Sequence, residues 1–102
     1  VWSEEDLMAK GQGLYETKCA ACHQVTGLGL PPAFPPIKGS PIAIGPIADH
    51  LKIVIVGKQG TAMQAWGSLN DLEIAAIVTY ERNAWGNDTG DVVQPSDVKQ
   101  AR

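Results

Sequence analysis

Two thiols and an imidazole share one pentapeptide, Cys19-Ala20-Ala21-Cys22-His23, and these are the only cysteines among the 102 residues. Cysteines three positions apart, followed at once by histidine, form the attachment pattern for a c-type haem. Each thiol can add across one vinyl group of the porphyrin, and His23 then falls under the iron as its first axial ligand. The same residues admit a redox dithiol, a structural disulfide or half of a zinc site. A dithiol of the thioredoxin kind needs a strand-helix-strand setting, and a zinc half-site needs a second ligand pair. The one other histidine is the isolated His50. Haem c held through Cys19 and Cys22 is therefore the expected cofactor.

The group on the other face of the iron decides between electron transfer and reaction with a small molecule. Met8 recurs at helical spacing with Leu7, Gly11, Leu14 and Tyr15 and reads as core. His50 follows Asp49 in what reads as a first helical turn facing water, which makes a bis-histidine site the lesser reading. Met63 stands between Gly60 and Gly67, with enough chain after His23 to cross the ring and return from the far side. A methionine in a loop also commonly fills a packing gap, so spacing leaves both roles open. Two soft, neutral axial ligands would leave low-spin, six-coordinate iron with no place for oxygen or peroxide, and no distal histidine or arginine is placed to cleave a peroxide bond.

These residues need elements to position them. Ser3 with Asp6 resembles a capping box, and the spacing predicts a helix from Glu4 to Lys18 that delivers Cys19 at its end. Gly11 on its apolar face predicts a second helix crossing closely there. From Gln24 to Pro46 the chain carries six of its seven prolines with four glycines and is expected to be an irregular loop. Leu28, Leu30, Phe34, Ile37, Ile42 and Ile44 would face the porphyrin, which gives that loop a core to wrap. Ile47 to Val56 reads as a short helix, with Pro46 at its start, Gly57 at its end and Ile47, Leu51, Val54 and Ile55 facing inward. A second loop from Gly57 to Leu69 holds Met63 and Trp66. Asn70 with Glu73 caps a helix running to about Trp85, ended by Gly86. Residues 1–86 form the haem domain in this reading, and 87–102 a polar tail, extended or disordered.

Composition sets outer bounds. With 44% hydrophobic residues and a single Phe, a domain of this size has a thin stability margin unless a large apolar cofactor adds to its core. The net charge of −3 argues against nucleic acid, which calls for a basic patch. Between Cys19 and Ala48 the only charged side chain is Lys38, and between Gly57 and Asn70 it is Lys58. The docking face is accordingly expected to be apolar, with electron transfer varying little with ionic strength. No apolar run approaches the ~20 residues of a membrane helix. The chain begins without Met and without a signal-peptide pattern, which reads as a processed product or an excised, soluble domain.

Several of these positions resemble the small monohaem class I cytochromes c. Gly11 and Tyr15 precede Cys19 by eight and four positions, as that family's helical glycine and aromatic do. Ile77 and Tyr80 resemble the pair by which its C-terminal helix crosses the glycine. Pro32 resembles the proline whose carbonyl orients the proximal histidine, and Met63 matches the distal ligand, although Gln64 stands where many members have proline. The resemblance implies an all-α fold in which N- and C-terminal helices cross, with a short middle helix and long loops around a covalent haem. It also implies one-electron transfer, iron held by His23 and Met63, and assembly at the outer, periplasmic face of a bacterial inner membrane. Cys19, Cys22, His23, Pro32, Phe34, Met63 and Trp66 would contact the haem. For Trp66 this means packing on the porphyrin or, as the lesser reading, an indole N–H given to a propionate.

A narrower likeness covers the run from Gly60 to Gly67, the run from Thr79 to Asn87, and Val93-Gln94-Pro95. These resemble the haem c domain fused to subunit II of bacterial haem-copper cytochrome c oxidases. That likeness implies a membrane-anchored parent in the respiratory chain. Its electrons would come from a donor cytochrome or a quinol-oxidising complex and pass to the dinuclear copper of a cupredoxin domain in the same subunit. A free-standing cytochrome or a dehydrogenase's cytochrome subunit is the alternative. A peroxidase or gas sensor with a labile Met63 is a further one.

Overall fold

A computed structural model describes residues 2–24, 26–29, 36–57 and 65–102, with only the backbone of residues 21 and 22. Among these described residues six helices follow in order: α1 (Glu4–Lys18), α2 (Ala20–His23), α3 (Pro41–Ile44), α4 (Ile47–Val56), α5 (Asp71–Asn83) and α6 (Pro95–Ala101). The described residues contain no strand, in keeping with the all-α expectation.

α1 begins where the sequence predicts. The Ser3 hydroxyl accepts from the Asp6 N–H at 3.1 Å, and Glu4, Glu5 and Asp6 place negative charge on the exposed N–H groups of the first turn. Its buried residues are Leu7, Gly11 and Tyr15, one stripe at intervals of four that continues to Cys19. α5 crosses this stripe at Gly11. A Cβ there would run into the Ala76 carbonyl oxygen and the Tyr80 Cβ, so only a bare backbone permits the approach. α5 starts at a complete capping box between Asn70 and Glu73. It is buried almost all round because α1, α3, α4 and α6 all pack against it.

Four expectations need correction. The Gln24–Pro46 stretch is not wholly irregular: Ser40 caps the single turn of α3, with Pro41 at its first position. Pro46 stands one place before α4 as its cap residue, while Gly57 closes that helix with φ 71° as expected. α5 ends at Asn83, because Ala84 leaves the helical region and Trp85 turns left-handed with φ 57°. The polar tail is also folded: Gln94 and Asp97 form a capping box with Pro95 at the first position of α6. Val93 and Val98 are fully buried with Leu51, Val54, Ile74 and Val78 in the main core. The tail reads as polar because two valines suffice to dock it.

Candidate cofactor site

The Tyr15 face of α1 leads directly to the pentapeptide. Cys19 ends α1 and is 9% exposed. The next four residues form one helical turn in which the His23 N–H donates to the Cys19 carbonyl at 3.0 Å and the Gln24 N–H to that of Ala20 at 2.8 Å. Gln24 then breaks the helix with φ 65°, and its carbonyl accepts the Tyr15 hydroxyl at 2.7 Å. Both ends of the turn are thereby tied to α1. Cys22 lies in the turn, with its side chain outside the described residues, and His23 is half-buried.

Tyr15, Cys19 and Ile77 form a second buried cluster, flanked by Leu69, Tyr80 and Trp85. The rings of Tyr15, Tyr80 and Trp85 meet pairwise at centroid separations of 5.0 to 5.5 Å. Gly27 backs onto the Trp85 ring, where a Cβ would stand 2.5 Å from Cε3. Trp85, whose role the sequence leaves undecided, thus closes this cluster against the 26–29 segment. Burial, and then the negative charge of Glu81, push the Tyr15 hydroxyl far above its ordinary value. It remains a protonated donor to Gln24.

The Gly27 carbonyl accepts from Ile37 and Lys38 at 2.7 and 3.0 Å, joining the two ends of the proline-rich stretch. Asn87 fastens the second end to α5: its Oδ1 accepts from the Gly39 N–H at 2.7 Å, and its Nδ2 donates to the Ile37 and Glu81 carbonyls. Pro32 and Phe34 lie outside the described residues, as does Leu30. Leu28, Ile42 and Ile44 on the flanking chain are 52%, 41% and 45% exposed.

On the far side of the motif, Lys18 places its ammonium 5.6 Å from the centroid of the Trp66 ring, a cation–π distance. The Trp66 N–H donates to the Val54 carbonyl at 2.9 Å, and its ring packs against the main core. Leu69 touches the Cys19 cluster. Met63 lies outside the described residues; the described segment that follows it, at Trp66 and Leu69, is held against the last turn of α1. Sequence reading missed Lys18, because a helix-terminal lysine carries no mark of the ring it will cover.

His50 does not face water. It is 3% exposed, its Nε2 lies 2.8 Å from Glu81 Oε1, and its Nδ1 lies 3.4 Å from Arg82 Nη1. The pattern places the ring proton on Nε2, donating to the carboxylate, with Nδ1 accepting from the guanidinium. Arg82 is itself buried, binding Asp91 Oδ2 through Nε and Nη2 at 3.1 and 2.7 Å and the Gly45 carbonyl through Nη2 at 2.5 Å. With both ring nitrogens engaged, His50 has no lone pair to give an iron. The bis-histidine reading fails for that reason.

The described residues suit haem c in chemistry. The motif turn carries thiol and imidazole donors, and Leu28, Ile42 and Ile44 present apolar surface of the kind a porphyrin covers. No described helix is long and apolar enough to cross a membrane.

Comparison with known proteins agrees. Residues 6–80 match the family described as cytochrome c oxidase, cbb3-type, subunit III. Cytochrome c-552 of Thermus thermophilus is 33% identical over 93 residues, covering 78% of this chain and 70% of that protein. The cytochrome c subunit of a quinone alcohol dehydrogenase from Gluconobacter oxydans is 30% identical, covering 90% of this chain and 22% of the relative. The gluconate 2-dehydrogenase cytochrome c subunit of Pantoea cypripedii is 32% identical, covering 100% and 26%. The chain thus spans about a fifth to a quarter of the dehydrogenase subunits' length. None of these relatives is an oxidase subunit II, and that narrower likeness draws no support from them. Helices, motif turn and relatives agree that this chain belongs to the cytochrome c family, as a domain that carries electrons on covalently bound haem c.

Proposed function

We propose that the chain transfers single electrons through a haem c attached at Cys19 and Cys22, with His23 and Met63 as axial ligands. Its partners in this reading are those of a dehydrogenase's cytochrome subunit or of a free-standing cytochrome, on the periplasmic face of the inner membrane. One observation carries the ligation. Lys18, next to Cys19, covers Trp66, three positions after Met63, so the ends of the two ligating segments are fixed to each other. When bound, the haem supplies an iron that changes oxidation state by one electron with little change of geometry. The chain's own part is to hold the imidazole and thioether in place, cover the faces with aliphatic side chains and leave an apolar rim for brief docking.

The relatives favour a dehydrogenase subunit or a free carrier over an oxidase subunit II. Their names, which include a quinone alcohol dehydrogenase and a gluconate dehydrogenase, support a redox enzyme as the electron donor. The oxidase reading keeps one support in the matched family's description. In it the acceptor would be oxidase copper, including the cupredoxin centre that the subunit II likeness implied.

The ferric absorption spectrum tests the ligation. A sulfur-to-iron charge-transfer band is expected in the wild type and should vanish in Met63→Ala. High-spin ferric iron in the wild type would refute the proposal. Stopped-flow mixing with a reduced quinoprotein dehydrogenase, and separately with a soluble cupredoxin copper domain, decides between the partner readings.

A further inference from the structure

The segment 65–70 lies between α4 and α5 and has three fixings besides Lys18. The Trp66 N–H is bound by Val54, within a turn that the Leu69 N–H closes on the Trp66 carbonyl at 3.0 Å. Gly67 backs onto α4, where a Cβ would stand 3.0 Å from the Ile55 carbonyl oxygen. The third fixing comes from Arg102, directly after α6. Its Nη1 donates to the Gly67 carbonyl at 2.8 Å, its Nη2 to the Leu69 carbonyl at 2.7 Å, and its Nε to Asp71 Oδ1 at 2.7 Å. One planar guanidinium therefore spans two carbonyls of the segment and the first residue of α5. That geometry uses a rigid fork, and lysine cannot reproduce it.

We propose that Arg102 is a positioning residue for the axial thioether, acting through Gly67 and Leu69; this rests on the ligation by Met63 proposed above. Met63 joins the chain three positions before Trp66, so the fixed segment is the anchor on the C-terminal side of the ligand. An anchor held at the Gly67 and Leu69 carbonyls and at the start of α5 limits how far the thioether can move from the iron. Removing the guanidinium releases all three bonds at once. The ligand then leaves more often, which admits exogenous ligands and lowers the reduction potential, because a thioether favours ferrous iron.

The test uses the ferric holoprotein with imidazole as the incoming ligand, since imidazole binds only when the thioether has left. Arg102→Leu should bind imidazole about tenfold faster, equivalent to ~1.4 kcal/mol, with a lowered midpoint potential and a weakened sulfur-to-iron band. Arg102→Lys should fall between Leu and the wild type. Gln94→Ala is the control for general loosening of the C-terminal segment. It removes the tether in which Gln94 Oε1 accepts from the Trp2 N–H at 2.8 Å and Nε2 donates to the Trp2 carbonyl at 2.9 Å, together with the Gln94 side chain's part in the α6 capping box, and leaves the Arg102 fork itself intact. It should bind imidazole at the wild-type rate. An unchanged rate in Arg102→Leu, or an equal rise in Gln94→Ala, would overturn the proposal while leaving Met63 as ligand. Absence of the sulfur-to-iron band from the wild type would overturn the ligation itself and this proposal with it.

Discussion

Thr79 is fully buried on α5, and its hydroxyl donates to the Val93 carbonyl at 3.3 Å while accepting from the Val93 N–H at 3.0 Å. One side chain thus satisfies both backbone groups of an irregular residue in the core. Thr79→Val keeps the shape and strands those two groups, so it should destabilise by about 1–3 kcal/mol. The urea midpoint of the holoprotein checks this. Tyr15 and Tyr80 make a second prediction at this scale. Burial first, then Glu81 for Tyr15 and Glu16 for Tyr80, raise both hydroxyls above the ordinary value of 10.0. The folded chain then keeps protons that the unfolded chain loses, so their contribution to stability is whole below pH about 10 and declines as pH rises further. In an alkaline titration, tyrosinate absorbance should appear together with the loss of helical circular dichroism. Ionisation of both tyrosines at full helicity would contradict the burial of Tyr15. His50 shows why polar residues are hard to place from sequence. Its partners Glu81 and Arg82 lie on another helix, and nothing near Asp49-His50 signals them.

Helix boundaries set by neighbouring residues were legible. The Ser3 cap, the Asn70–Glu73 box and the Gly57 stop depend on residues within a turn of the boundary, and each stands where expected. α6 was not, because what holds it lies on α4 and α5. Gln94-Pro95-Ser96-Asp97 does contain a local start signal, a proline at the first position and an acid at the third, but the segment offers only Val93 and Val98 to a core. Val98→Ala should cost about 2 kcal/mol through lost burial and the cavity left behind. Thermal melting of the holoprotein would show it, and no change would mean that the tail does not contribute to the core. In the pentapeptide, chemistry was legible from residue types alone. Its framing by Tyr15, Gln24 and Lys18 was not, since it depends on where α1 ends relative to Trp66.

At the scale of the molecule, the chain that follows the motif carries little charge, with Lys38 the one formally charged side chain between Cys19 and Ala48. Glu4, Glu5 and Asp6 lie exposed at the far end of α1, whereas Leu28, Ile42 and Ile44 are exposed on the chain flanking the proline-rich stretch. Electron exchange with a natural partner should therefore change less than about twofold across the ionic strengths where steered encounters change steeply. Stopped-flow rates at several salt concentrations decide it, and a steep fall would refute an apolar docking face. The crossing at Gly11 has a consequence in time. Residue 11 meets Ala76 and Tyr80, so the contact that frames the molecule closes nearly the whole intervening chain and cannot form by local search. Loop closure of that length precedes any gain from α1 against α5. Folding speed should therefore be set by the meeting of the two ends, and a Cβ at Gly11 should slow folding more than it hastens unfolding.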